Sequence, residues 1–243
     1  MLMPVTKADI IAQLQRAIMP LQGFRSTLHG SAATVDLGAV NDSFPNNIFP
    51  TGAVHEFFCH QPEDIAVTTG FIAGIMAALM KNNGAVLWIS ASRKVFPPAL
   101  LSFGINPDKI IFIDLQREKD VLWCMEEALK CDSLVGVVGE MQEITFTASR
   151  RLQLAVEQSR VTGFIVRSTP RNLSTACIAR WKITSIPSKL EDDMPGVGFP
   201  GWNVELIKVR NGKPGSWQLE WVAKQFRHVA TPKPGYEEQR KAG

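Results

Sequence analysis

Residues 53–66 read Ala53-Val54-His55-Glu56-Phe57-Phe58-Cys59-His60-Gln61-Pro62-Glu63-Asp64-Ile65-Ala66, and their order decides the fold. An apolar run of strand length, Ala53 to Phe58, passes through a short polar turn into a helical pattern that continues to Lys81. The same exchange recurs downstream: strand Ala85 to Ser90 then helix Pro97 to Phe103, and strand Ile110 to Asp114 then helix Lys119 to Cys131. Strand Leu134 to Val138, helix Thr145 to Val161 and strand Gly163 to Arg167 complete the series. Continuous Val, Ile, Leu and Phe runs separated by helices predict an α/β fold, a mostly parallel sheet buried on both faces by helices. After Thr175 the pattern changes to period two over Cys177 to Ile186, Trp202 to Arg210 and Trp217 to Val222. The last two flank Asn211-Gly212-Lys213-Pro214-Gly215 and predict a C-terminal antiparallel hairpin that extends the sheet.

The turn at 59–63 lies where α/β sheets usually bind ligands, at the carboxyl end of the first strand. A nucleotide loop needs glycines to let backbone N–H groups close around phosphates, a lysine for their charge and a hydroxyl for magnesium. None stands between Cys59 and Ala66. Glu63 and Asp64 instead put carboxylates at a helix N-terminus, where capping and the macrodipole favour them. The expected state is an anion site filled by the protein's own side chains, with nucleotide binding weak or absent.

With 243 residues, 45% of them hydrophobic, the chain can bury a full core, which excludes a disordered protein or a disulfide-stapled miniprotein. The longest apolar stretch, Phe71 to Met80, is shorter than the roughly 20 residues of a bilayer span, and no leader pattern opens the chain. The expectation is a cytoplasmic protein with no membrane contact. Four parts are predicted: an amphipathic helix in 1–23 with Ile11, Leu14, Ile18 and Leu21 on one stripe, a linker or lead-in over 24–48, a core domain over 49–230, and a disordered tail over 231–243.

Cys59, Cys124, Cys131 and Cys177 lack CxxC pairing and zinc-spaced histidines, so reduced core cysteines are expected and no metal. His60 is the one histidine at the ligand edge and has no evident nucleophile or paired acid, and no catalytic set is predicted. Charge is asymmetric: residues 1–146 carry 10 basic and 15 acidic side chains, residues 147–243 carry 16 and 8. Arg150, Arg151, Arg160, Arg167 and Arg171 are candidates for a positive edge touching DNA or a protein partner, against the plain reading of a solvated face. Trp181, Trp202, Trp217 and Trp221 are expected to pack one sheet face.

From about Asp36 to Val222 the order of segments resembles a RecA-like core, and specifically the ImuA family of damage-induced mutagenesis accessory proteins. The residues carrying the likeness are Phe49-Pro50-Thr51-Gly52-Ala53-Val54-His55-Glu56-Phe57, Val86-Leu87-Trp88-Ile89-Ser90-Ala91-Ser92, Phe103-Gly104-Ile105, Ile111-Phe112-Ile113-Asp114, Arg150-Arg151-Leu152-Gln153-Leu154-Ala155 and the Trp202 to Trp221 hairpin. The resemblance implies that Cys59 and Asp64 stand in place of two phosphate-loop glycines, Ile65 in place of the lysine and Ala66 in place of the hydroxyl. Ser92 replaces the glutamate that activates water, and Gly139 the magnesium-linked aspartate, although Glu140 follows it. The implied protein is a non-catalytic accessory factor of SOS-type translesion synthesis without a cofactor. Its implied partners are RecA, an ImuB-type Y-family polymerase homologue and a DnaE-type polymerase, with DNA contact weakly supported. A SulA-like division inhibitor and an unconventional ATP-binding enzyme are the alternatives.

Overall fold

The computed structural model describes residues 34–92, 94–168, 174–187 and 198–229. Its elements are β1 (Val54–Cys59), α1 (Pro62–Leu79), β2 (Ala85–Ser90), β3 (Ile110–Asp114), α2 (Glu118–Ala128), β4 (Leu134–Met141), α3 (Phe146–Ser159), β5 (Thr162–Ser168), β6 (Ala179–Ser185), β7 (Gly201–Val209), β8 (Gly215–Val222) and β9 (Gln225–His228). The nine strands form one sheet in the order β3-β2-β4-β5-β1-β6-β7-β8-β9. Every pair from β3 to β6 in that order is parallel, and β7, β8 and β9 continue antiparallel. The α/β architecture with its antiparallel extension is therefore as predicted.

Alternation along the strands divides the core in two. Phe57, Trp88, Val138, Phe164, Trp181 and Trp202 share the face covered by α1. Val54, Ile89, Val137 and Ile165 face Val121, Met125, Leu152 and Val156 of α2 and α3. The segment Pro62–Asn82 has the length and apolar composition of a membrane span, and half of it is buried inside the protein. Its apolarity follows from that burial, since Phe71, Ile72, Ile75 and Met76 are enclosed by sheet and hairpin. Gly74 allows this: a Cβ there would collide with the Phe226 ring, so only glycine lets β9 lie this close to α1.

Several segments differ from their predicted form. Residues 97–103 wind as a 3-10 helix, with Pro97 and Pro98 withholding two donors and Gly104 stopping it in the left-handed region at φ 78°. Residues 34–48, expected as part of a lead-in, bury Val35, Leu37, Val40 and Phe44 in the main core and coil as 3-10 helices at Gly38–Ser43 and Pro45–Asn47. Strand β9 was not predicted at all. The tryptophans at 181, 202 and 221 are buried in the core on the α1 face, and the half-buried Trp217 packs against that same core. The predicted helix within 1–23 and the tail over 231–243 lie outside the described residues.

At the centre of the α1 face His55 is fully buried and stacked on Phe49, with ring centroids 4.5 Å apart. Its Nε2 lies 2.7 Å from the Pro50 carbonyl, and its Nδ1 accepts from Trp181 Nε1 at 3.3 Å. The indole N–H fixes Nδ1 as acceptor, so Nε2 carries the proton and both ring nitrogens are satisfied in the neutral form. Burial lowers the pKa of His55 from 6.5 to about 4. The unfolded chain therefore binds a proton that the fold rejects, and this stabilisation is complete above pH 6.5 and lost as pH falls toward 4. Denaturant unfolding should show stability falling by up to about 3 kcal/mol more across that window in the native chain than in a His55→Gln chain. Equal pH slopes in the two would contradict this.

Candidate functional site

The turn after β1 is closed by its own helix. Asp64 Oδ2 accepts from the backbone N–H groups of His60 and Gln61, both at 2.9 Å. These are among the donors that a bound anion would need, and Pro62 contributes none. Cys59 is buried with its thiol donating toward Thr68 Oγ1 at 3.4 Å, and burial pushes its pKa up to about 11. Ile65 is also buried, while Ala66 and His60 are exposed. The four positions the resemblance placed in a phosphate loop thus present one engaged carboxylate, an inert thiol and two hydrocarbon side chains.

Beside this turn, Ile65, Ser92, Lys94, Glu118, Glu140 and Ser168 line a cleft of about 60 Å³ at the carboxyl ends of the parallel strands. Small-molecule pockets occupy roughly 300–1,000 Å³. Gly139 pairs with Ile89 and Ile165, and a Cβ on it would meet Met125, so position 139 faces the α2 layer and away from the cleft. Glu140 turns the other way and is held by Trp88 Nε1, which donates to Oε1 at 2.7 Å. Burial raises the Glu140 carboxyl above its ordinary range, and the indole hydrogen bond offsets part of that rise. A carboxylate does stand at the end of β4, but the core indole already engages it. Among the described residues, no group of three His, Cys, Asp or Glu side chains gathers to hold a metal ion.

Arg167 corrects the expected positive edge. It is fully buried, with Nη1 donating to Glu56 Oε1 at 2.6 Å and Nη2 to Glu143 Oε2 at 2.8 Å. Glu56 Oε2 accepts from Arg180 Nε at 3.0 Å and from Thr175 Oγ1 at 2.8 Å. The register explains the meeting: Glu56 lies beside Arg180 of β6 and Ile165 of β5, and Arg167 follows two residues later on the same face. Both guanidinium groups sit over the Phe58 ring, at 5.5 and 5.0 Å from its centroid. A guanidinium so enclosed is unavailable to a phosphate backbone.

Of the other arginines, Arg150 is exposed on α3, and Arg151 pairs with Glu126 of α2. Arg160 caps the C-terminus of α3 in the left-handed region at φ 69°. Arg171 lies outside the described residues. Phe146 and Leu154 lie one helical turn to either side of Arg150 on α3 and are 52% and 47% exposed, and Trp123 on α2 is 65% exposed. Helical periodicity leaves one face of α2 open to water, and Trp123 occupies it between Lys119 and Glu127.

No protein-family model matches the chain. Protein ImuA from two strains of Caulobacter vibrioides is 31% identical to it over 195 residues, spanning 75% of this chain and 80% of that protein. Cell division inhibitor SulA of Photorhabdus laumondii subsp. laumondii is 28% identical over 104 residues, spanning 41% of this chain and 58% of that protein.

Two substitutions separate the buried ion network from the surface arginines. Glu56→Gln leaves two guanidinium groups without their shared carboxylate and should cost about 3–5 kcal/mol in denaturant unfolding. Arg150→Ala, on the open helix face, should stay within about 0.5 kcal/mol of the native chain. A Glu56→Gln chain as stable as the native protein would show that the network contributes little.

Proposed function

The chain belongs to the ImuA family, and on that footing we propose that it is an accessory protein of damage-induced, error-prone DNA synthesis that works by binding other proteins and hydrolyses no nucleotide. The observation carrying the non-catalytic part is the Asp64 carboxylate, seated on the two N–H groups at the head of α1. A triphosphate would have to displace a tethered anion from that helix terminus, and the turn offers it no lysine of its own in return. The cleft beside it is about 60 Å³, and Ser92, two residues past the end of β2, has no basic form at neutral pH that could activate water. The work left to such a scaffold is contact with macromolecules.

The proposed partners are those of the family: RecA, the ImuB-type Y-family polymerase homologue and the DnaE-type polymerase, met in the cytoplasm. A degenerate core of this kind would present RecA with a surface shaped like one of its own protomers. The exposed Phe146, Leu154 and Arg150 of α3, together with the exposed Trp123 of α2, have the aromatic-plus-arginine composition of protein interfaces. The SulA similarity favours a second reading, a division inhibitor acting on a tubulin-like protein.

Purified chain is expected to retain RecA and the ImuB-type protein in a pull-down at micromolar concentration, and to leave division-protein polymerisation unchanged. Loss of both interactions together with inhibited polymerisation would transfer the assignment to the second reading. Titration of ATP and magnesium into the chain should give no binding heat in the low micromolar range. ATP turnover that disappears on substituting residues 59–66 would overturn the non-catalytic reading.

A further inference from the structure

We propose that the groove at the far end of α1 is a docking site for an acidic, amphipathic segment of a partner protein, one that inserts aliphatic or aromatic side chains between three lysines. The groove has a volume of about 610 Å³ and lies between the C-terminal half of α1, the segment 103–109 and the turn into β9. Val35, Ala77, Met80, Ile105, Trp221 and Phe226 bring hydrocarbon to its floor, and polar atoms make up about half of its lining. Lys81, Lys109 and Lys224 line it, and all three are exposed.

Charge identifies the occupant. Among the described residues, Lys81, Lys109 and Lys224 take part in no ion pair. Lys109 Nζ donates to the neutral amide oxygen of Asn83 at 2.6 Å, which leaves its charge uncompensated. The one carboxylate at the groove, Asp36, accepts from the Gly38 backbone at 2.8 Å. The aliphatic stem of Lys224 lies close over Gly104 and adds to the apolar wall, with its ammonium at the rim. A hydrocarbon floor under uncompensated ammonium groups suits apolar anchors carried between carboxylates.

The chain's own ends do not fit this chemistry. Residues 1–33 carry Lys7, Arg16 and Arg25 against Asp9, and residues 230–243 carry Lys233, Arg240 and Lys241 against Glu237 and Glu238. Their side chains sum to +2 and +1, so neither supplies the net negative charge that the rim suits. Its acidic stretch, Glu191-Asp192-Asp193, belongs to the connection between β6 and β7, whose ends, Ile186 and Gly198, line a separate apolar groove beside the start of α1. Single-stranded nucleic acid fits less well than a peptide. Phe103 and Phe226 pack against Trp221 at 5.5 and 4.9 Å between centroids, so the rings are committed to one another and offer no stacking platform. The groove sits at the opposite end of α1 from Asp64, and this proposal stands whether or not the family's partners bind.

The test is fluorescence anisotropy of full-length chain with the labelled peptide EEFLDELLEE, its alanine-anchored counterpart EEAADEAAEE and oligo-dT. The first peptide should bind with micromolar affinity that weakens as salt rises. The exposed triple change Lys81→Glu, Lys109→Glu, Lys224→Glu should weaken it at least about tenfold. Ala78→Trp, which fills the groove and leaves the lysines in place, should do the same. Absence of binding, equal binding by the triple variant, or equal binding of the alanine peptide would overturn the proposal. Tighter binding of oligo-dT would make the groove a nucleic-acid site instead. Binding that emerges only in Leu14→Asp or Asp192→Asn/Asp193→Asn chains would show that a segment of the chain itself fills the groove, and would likewise refute a partner site.

Discussion

One buried carboxylate ties the middle of the sheet together. Glu56 on β1 receives Arg167 from β5, Arg180 from β6 and the Thr175 hydroxyl, so three adjacent strands converge on two oxygen atoms. Charges removed from water cost several kcal/mol each unless their hydrogen bonds are met, and here both carboxylate oxygens are engaged. Phe58 completes the arrangement by offering its ring to both guanidinium groups. The network fixes where β1 ends relative to its neighbours, and so where the following turn and α1 begin. It also bridges β1 to its parallel neighbour β6, with the antiparallel strands built outward from there.

The second constraint acts locally at that turn. A helix N-terminus beside the ends of parallel strands is an electropositive place, and proteins of this architecture commonly spend it on a ligand. Here the charge is satisfied by Asp64, three residues into the following helix. The neighbouring cleft has closed around Glu140, whose carboxylate the Trp88 indole draws into the core. The turn and its adjoining cleft are therefore occupied by side chains, while the open features of the molecule are the outer face of α2 and α3, the apolar groove beside the start of α1 and the lysine-lined groove at its far end.

Much of this architecture was legible in the sequence. Strands β2 and β3 coincide with their predicted bounds because each is a short apolar run between breakers. The capped turn was legible too, since capping depends on residues only a few positions apart. What failed was what depends on distant contacts. Arg167 reads as a surface charge until β5 is laid beside β1, whose Glu56 is 111 residues earlier. Strand β9 escaped because its turn uses Ala223 and Lys224 at positive φ, with no glycine or asparagine to mark it. The 3-10 form of 97–103 was announced by its two prolines, but apolar periodicity alone does not distinguish it from an α-helix. Trp123 illustrates the converse: periodicity places it on a helix, and only the packing reveals which side of that helix is left wet.

The Asp64 cap also sets how hard it would be to install a new ligand at this turn. Replacing the aspartate alone forfeits about 0.5–2 kcal/mol of helix capping and leaves two backbone donors without their carboxylate. Adding a lysine at Ile65 alone would bury a cation in the hydrocarbon that Ile65 now fills. Each single step is uphill and only their combination is rewarded, so a designer would have to cross a valley of unstable intermediates, and random variation would seldom find the way through.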